Sequence, residues 1–228
     1  MVETNGRNFD LLTLGQVLLR LSPPDNERLS RGDTFVKQVG GAELNVAVGA
    51  ALLGLHTGVI SKLPAHDIGS FMKGKIRSFG VSDDFFMYDQ SSSARVGIYY
   101  YENGAYPRKP KVIYDRNNSS FFSLNIDEIP EEVYTASKCF HTTGITLALN
   151  EDIRETTIDM IKRFKAAGTL VSFDVNFRGN LWTGDEAREC ILRILPYVDI
   201  FFCSEDTARL TFLKTGTARE MMKSFTEE

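Results

Sequence analysis

Two rhythms of apolar and polar positions alternate along the chain. Short apolar runs at Phe9 to Gly15, Thr169 to Val175 and Tyr197 to Cys203 have the length and the β-branched or aromatic content of buried strands. Between such runs apolar residues recur every three or four positions, as in Asp67 to Phe79, where Ile68, Phe71, Met72, Ile76 and Phe79 form one stripe. The same helical spacing covers Asn150 to Ala167, Asp185 to Leu195, Ser204 to Leu213 and Ala218 to about Thr226, and Gly168 is placed to stop the first of these. Strand and helix taking turns predict an α/β fold, a parallel sheet covered by helices, with Asp67 as the cap of the second helix.

The rhythm breaks between Ala94 and Asp115. Arg95 to Tyr101 and Lys111 to Asp115 are β-rich runs around the Gly- and Pro-containing turn Glu102 to Pro110, the pattern of a hairpin. With extended arms at residues 17–22 and 34–39 it is expected to form a small sheet apart from the α/β body, used as a lid, a dimer contact, or both. A second feature follows Val39, where Gly40 and Gly41 open a helix of small residues. Bare amides at a helix N-terminus suit an anionic or hydroxylated ligand, and Asn45, one turn further on, adds a donor and an acceptor. Taken alone, Gly-Gly before a helix is more often only a tight turn.

Composition narrows the choices. The 228 residues are 43% hydrophobic and 25% charged, which suits one large globular domain. A net charge of −4 gives no basic footprint for nucleic acid, and the Tyr99-Tyr100-Tyr101 run lacks the basic face that base stacking needs. No stretch approaches the roughly 20 apolar residues of a membrane span, and residues 1–10 have no signal-peptide core, so a cytoplasmic location is expected. Cys139, Cys190 and Cys203 lack CxxC spacing and read as buried free thiols, and the histidines suggest no metal pair.

Several other residues carry possible chemistry. Arg178 follows Asp174 and Asn176 at the polar end of a strand, where a guanidinium can grip a carboxylate with two hydrogen bonds; a surface pairing with Asp185 or Glu186 is the alternative. Tyr114 and Arg116 are two apart at the end of the hairpin and would share a face, a recognition pair for a hydroxylated acid; an exposed hairpin using Tyr for strand propensity and Arg for solubility is the commoner alternative. His141 at a strand end is expected to be structural. Ser204 opens an ordinary capped helix, Ser204-Glu205-Asp206-Thr207.

The string G-G-A-E-x-N-V-A at Gly40 to Ala47 resembles the N-terminal signature of the ribokinase-like (PfkB) sugar kinases, most closely their 2-keto-3-deoxygluconate kinases. Three further segments share the resemblance: G-I-Y-x(14)-Y-D-R from Gly97 to Arg116, G-I-T-x-A-L from Gly144 to Leu149, and D-x-N-x-R-x-x-L-W from Asp174 to Trp182. The resemblance implies a three-layer α/β/α sandwich with a β-sheet lid, its segments at about 16–39 and 94–116 inserted in a single kinase domain. It implies ATP and Mg2+ as cofactors, phosphorylation of a sugar acid such as 2-keto-3-deoxygluconate at its 6-position, and a homodimer formed through the lid. Substrate would be bound by Gly41, Asn45, Tyr99, Tyr114, Arg116, Ile145 and Arg178, with Asn176 and Ser204 near the nucleotide. Ser204 stands where the superfamily usually has Asn, and Thr207 where it has Glu, which weakens a metal-organising role for that segment.

The family's late G-A-G-D segment, which supplies the catalytic aspartate and an anion hole, has no counterpart in these residues. A family member would be expected to continue past Glu228, no catalytic residue is assigned here, and this polypeptide is expected to be inactive in phosphoryl transfer. The alternatives are a related kinase for fructose or another deoxy sugar acid, and a non-catalytic sugar-acid-binding fragment.

Overall fold

The computed structural model describes residues 7–227. In chain order the elements begin with strands β1 (Phe9–Leu14), β2 (Leu18–Ser22) and β3 (Val36–Gly40), then helix α1 (Ala42–Leu52), β4 (Thr57–Pro64) and α2 (Asp67–Arg77). Four strands follow: β5 (Val81–Ser82), β6 (Phe86–Asp89), β7 (Gly97–Glu102) and β8 (Lys111–Asp115). After three 3-10 turns come β9 (Ser137–Thr143), α3 (Gly144–Leu147), α4 (Glu151–Ala166), β10 (Leu170–Asp174) and α5 (Gly184–Leu192). The last elements are β11 (Ile200–Phe202), α6 (Glu205–Leu210) and α7 (Ala218–Phe225).

The chain divides into two compact units, one of residues 15–124 and one made from the N-terminal segment through Leu14 and residues 125–228. In the second, β9 pairs in parallel with both β1 and β10, and β10 with β11, giving the order β11-β10-β9-β1. Helix α4 buries Ile153, Ile158, Ile161 and Phe164, and Phe164 stacks on Phe140 of β9 with ring centroids 4.1 Å apart. Asn150 accepts a hydrogen bond from the Ile153 amide as the cap of α4, and Gly168, with a φ of +74°, follows its end.

In the unit of residues 15–124, β4 is buried along its whole length and pairs in parallel with β5 and β6. Leu44 and Ala47 of α1 and Met72 and Ile76 of α2 join Val59 and Leu63 of β4 in one apolar cluster. A separate four-stranded sheet, in the order β3-β2-β7-β8, gathers the hairpin and both extended arms. Its β2–β7 contact is parallel, while β2–β3 and β7–β8 are antiparallel.

Several local expectations change. The cap of α2 is His66, whose Nδ1 accepts from the Gly69 amide, and Asp67 is instead the first helical residue. Of the three cysteines Cys190 is buried, while Cys139 and Cys203 are partly exposed. Strand β6 and the one-turn helix α3 carry no periodicity of their own, since both are shorter than a repeat.

Candidate functional site

The Gly40-Gly41 turn is built by close approach. Gly41 is the N-cap of α1 with a φ of +153°, a value that favours glycine, and it has no side chain to occupy the first-turn amides. A β-carbon there would fall 2.8 Å from the carbonyl oxygen of Gln16. One on Gly40 would fall 2.4 Å from the Tyr99 hydroxyl, so the missing side chain is what lets the phenol reach the start of the helix. Burial pushes the Tyr99 pKa up, with the Arg20 guanidinium opposing, and the phenol remains a hydrogen-bond donor at neutral pH. Asn45 donates its amide to Gly41 O at 2.9 Å, and its side chain is exposed.

Tyr99 and Tyr114 are directly opposed across β7 and β8, with ring centroids 5.9 Å apart, and Tyr114 is 50% exposed. The Arg116 guanidinium carbon is 5.8 Å from the centre of the Tyr114 ring. Arg116 Nε donates to Gln16 Oε1 at 2.8 Å, and Gln16 Nε2 donates back to Arg116 O at 3.1 Å and to Ser119 Oγ at 2.7 Å. This unit therefore brings Gly41, Asn45, Tyr99, Tyr114 and Arg116 onto one small framework. Gln16 was not legible as part of it, because its partner is 100 positions away and no local pattern connects them.

In the other unit, β9 ends at Thr143, whose hydroxyl accepts from the Ile145 amide at 3.1 Å, which places Ile145 half-buried in α3. A β-carbon on Gly144 would lie 2.2 Å from Val175 O, so the segment after β10 packs directly on backbone there. Asp174 Oδ1 accepts from the Asn176 amide at 3.0 Å, and Asn176 takes a φ of +38°. Arg178 is exposed, and its Nη1 donates to Phe177 O at 2.9 Å. The suggested surface partners are engaged elsewhere: Asp185 pairs with Arg188, and Glu186 closes a capping box with Thr183.

Ser204 caps α6, accepting from the Thr207 amide at 3.2 Å and donating to Thr207 Oγ1 at 2.8 Å. The threonine where Glu was expected thus serves the helix start. His141 is buried with Nδ1 2.9 Å from Ser172 Oγ. Burial lowers its pKa, against a smaller opposing pull from Asp174, in keeping with a neutral structural ring.

Among the described residues no group of three His, Cys, Asp or Glu is arranged to hold a metal ion, and no helix is long and apolar enough to cross a membrane. A mainly apolar cavity of about 500 Å³ lies among Phe201, Cys203, Ala208, Met221 and Phe225, and it includes none of the predicted site residues.

Residues 8–227 match the model of the pfkB family of carbohydrate kinases. A curated relative, the 2-dehydro-3-deoxygalactonokinase of Haloferax volcanii, is 36% identical over 209 residues, which are 92% of this chain and 65% of that protein. The chain therefore spans just under two thirds of that relative's length. The crystal structure of 2-dehydro-3-deoxygluconokinase from Thermotoga maritima superposes with a TM-score of 0.87 at 33% identity, covering 96% of this chain and 68% of that one. An uncharacterized sugar kinase from Pyrococcus horikoshii, solved in complex with ATP, matches with a TM-score of 0.77 at 25% identity, over 89% of this chain and 66% of that one.

Proposed function

The chain belongs to the pfkB family of carbohydrate kinases, and from that premise we propose that the protein is a sugar-acid kinase transferring phosphate from ATP to 2-dehydro-3-deoxygluconate, the acid also called 2-keto-3-deoxygluconate, at its 6-position. The observation that carries this reading is the Arg116–Tyr114–Tyr99 row ending at the Gly40-Gly41 turn. It sets a guanidinium, two phenols and bare helix amides in sequence, and a hydroxylated carboxylic acid needs that mixture of partners. The gluconate and galactonate acids named in two relatives have the same chemistry.

In this reading Gly41 offers its backbone amide, Asn45, Tyr99 and Tyr114 bind hydroxyls, and Arg116 and Arg178 each contribute to holding the keto-acid end. Ile145 gives an apolar wall. Asn176 and Ser204 are assigned to the nucleotide side on the resemblance alone, and the capping role of Ser204 leaves its hydroxyl little spare capacity. In-line phosphoryl transfer demands positioning and charge stabilisation more than covalent help, so fixing the sugar's orientation is the contribution these residues make. Among the described residues no group of three His, Cys, Asp or Glu is arranged to hold Mg2+. These residues bind and orient the sugar, and none of them is proposed as the base that takes the hydroxyl proton. A homodimer through the four-stranded sheet belongs to the same reading.

The test is ADP release by the protein, supplied with MgATP and either 2-dehydro-3-deoxygluconate or fructose. Turnover that requires the acid supports the reading. Turnover at least as fast with fructose overturns the substrate class.

A further inference from the structure

We infer that Gln16 is a positioning residue that fixes the direction of Arg116 before an acid arrives, an inference that rests on the sugar-acid reading above. Gln16 lies in the short connection between β1 and β2 and is only 3% exposed. Its side chain closes a loop on one residue: Oε1 accepts from Arg116 Nε, and Nε2 donates to the carbonyl of the same arginine, with Ser119 Oγ as a further acceptor. Holding an arginine at its backbone and at its Nε together fixes most of the side chain between them. A carboxylate has no donor and an ammonium no acceptor, so only an amide makes this set of bonds.

The surroundings are cut to fit that amide. A β-carbon on Gly97 would fall 2.8 Å from Gln16 Nε2 and 2.6 Å from a Leu18 methyl, so a bare glycine makes the room. The backbone of Gln16 serves the other end of the site, because its carbonyl is the group that a side chain on Gly41 would strike. One residue thus ties the end of the hairpin to the start of α1. Arginine has many rotamers, and ordering them in advance spares the ligand that entropic cost on binding.

The test is a double-mutant cycle on the affinity for 2-dehydro-3-deoxygluconate, read by titration calorimetry. Gln16→Met keeps the volume and removes every hydrogen bond. It is expected to weaken binding by about tenfold, the scale of a lost hydrogen bond to a charged group. In an Arg116→Ala background it is expected to change nothing further, since there is no guanidinium left to aim. Additive losses, or Gln16→Met binding as the parent does, overturn the inference. A ligand-free readout separates this from the functional reading: the Arg116 Nε–H resonance, assigned by its loss in Arg116→Lys, is expected to exchange slowly in the parent and fast in Gln16→Met. If the parent binds no sugar acid, the functional reading fails and that resonance alone decides, with unchanged exchange in Gln16→Met overturning the positioning role.

Discussion

Arg116 and Arg178 are both assigned to the acid end of the sugar, yet the two units hold them in different ways. Arg116 is tied to Gln16, 100 positions away, and lies near an aromatic face. Arg178 is exposed on the segment after β10 and donates to the carbonyl of its neighbour, Phe177. The first arginine is built into its framework, and the second is held by local backbone. Preorganisation therefore differs within one proposed set of ligands, and the two arginines should respond differently to mutation.

The largest expected effect concerns the parallel sheet rather than the ligands. Phe140→Ala removes a fully buried ring stacked on Phe164 and should destabilise the unit containing β9 by about 3–5 kcal/mol in denaturant unfolding. A loss under about 1 kcal/mol would mean that this stack is not a core contact. Next comes Gly41→Ala, which forces a β-carbon toward Gln16 O at a φ of +153°, with an expected cost of about 1–3 kcal/mol and weaker binding of the acid.

The arginines themselves sharpen the comparison. Arg116→Ala leaves the Gln16 oxygen without its Nε donor and should cost about 1 kcal/mol of stability, whereas Arg178→Ala should stay within about 0.5 kcal/mol. Both should lower affinity for the acid, and equal stability losses would erase the distinction. The smallest effect is a pH dependence from His141. Its folded pKa lies below the ordinary 6.5 because burial disfavours the charged ring. Its contribution to stability is therefore present above pH 6.5 and is lost as the pH falls through the lower folded value. Stability should decline from that pH downward, before carboxylates such as Asp199, held below 3.8, begin to protonate, and His141→Gln should flatten that part of the profile.

Much of the fold was legible because it is repetitive. Mostly apolar runs such as Leu170 to Phe173 and the stripes of α2 and α4 announce strands and helices locally, and the Gly- and Pro-bearing turn at 102–110 announces the hairpin. The order of strands, the parallel β2–β7 contact and the short elements β6 and α3 were not legible, since each depends on contacts across many positions. The same division runs through the site. Gly41, Asn45, Tyr99, Tyr114 and Arg116 are candidates because they lie in the strings that resemble the family, while Gln16 became visible only where folding set its amide against Arg116. The cap of α2 makes the point on a smaller scale, because histidine at that position competes with a neighbouring aspartate that looks better in sequence.

The most direct test of the central claim is titration of the protein with 2-dehydro-3-deoxygluconate and, in parallel, with fructose, for the parent and for Arg116→Ala. The account predicts a clear preference for the acid that shrinks toward that of the neutral sugar when the guanidinium is removed. Equal affinity of the parent for the two sugars, or an acid preference untouched by Arg116→Ala, would contradict it.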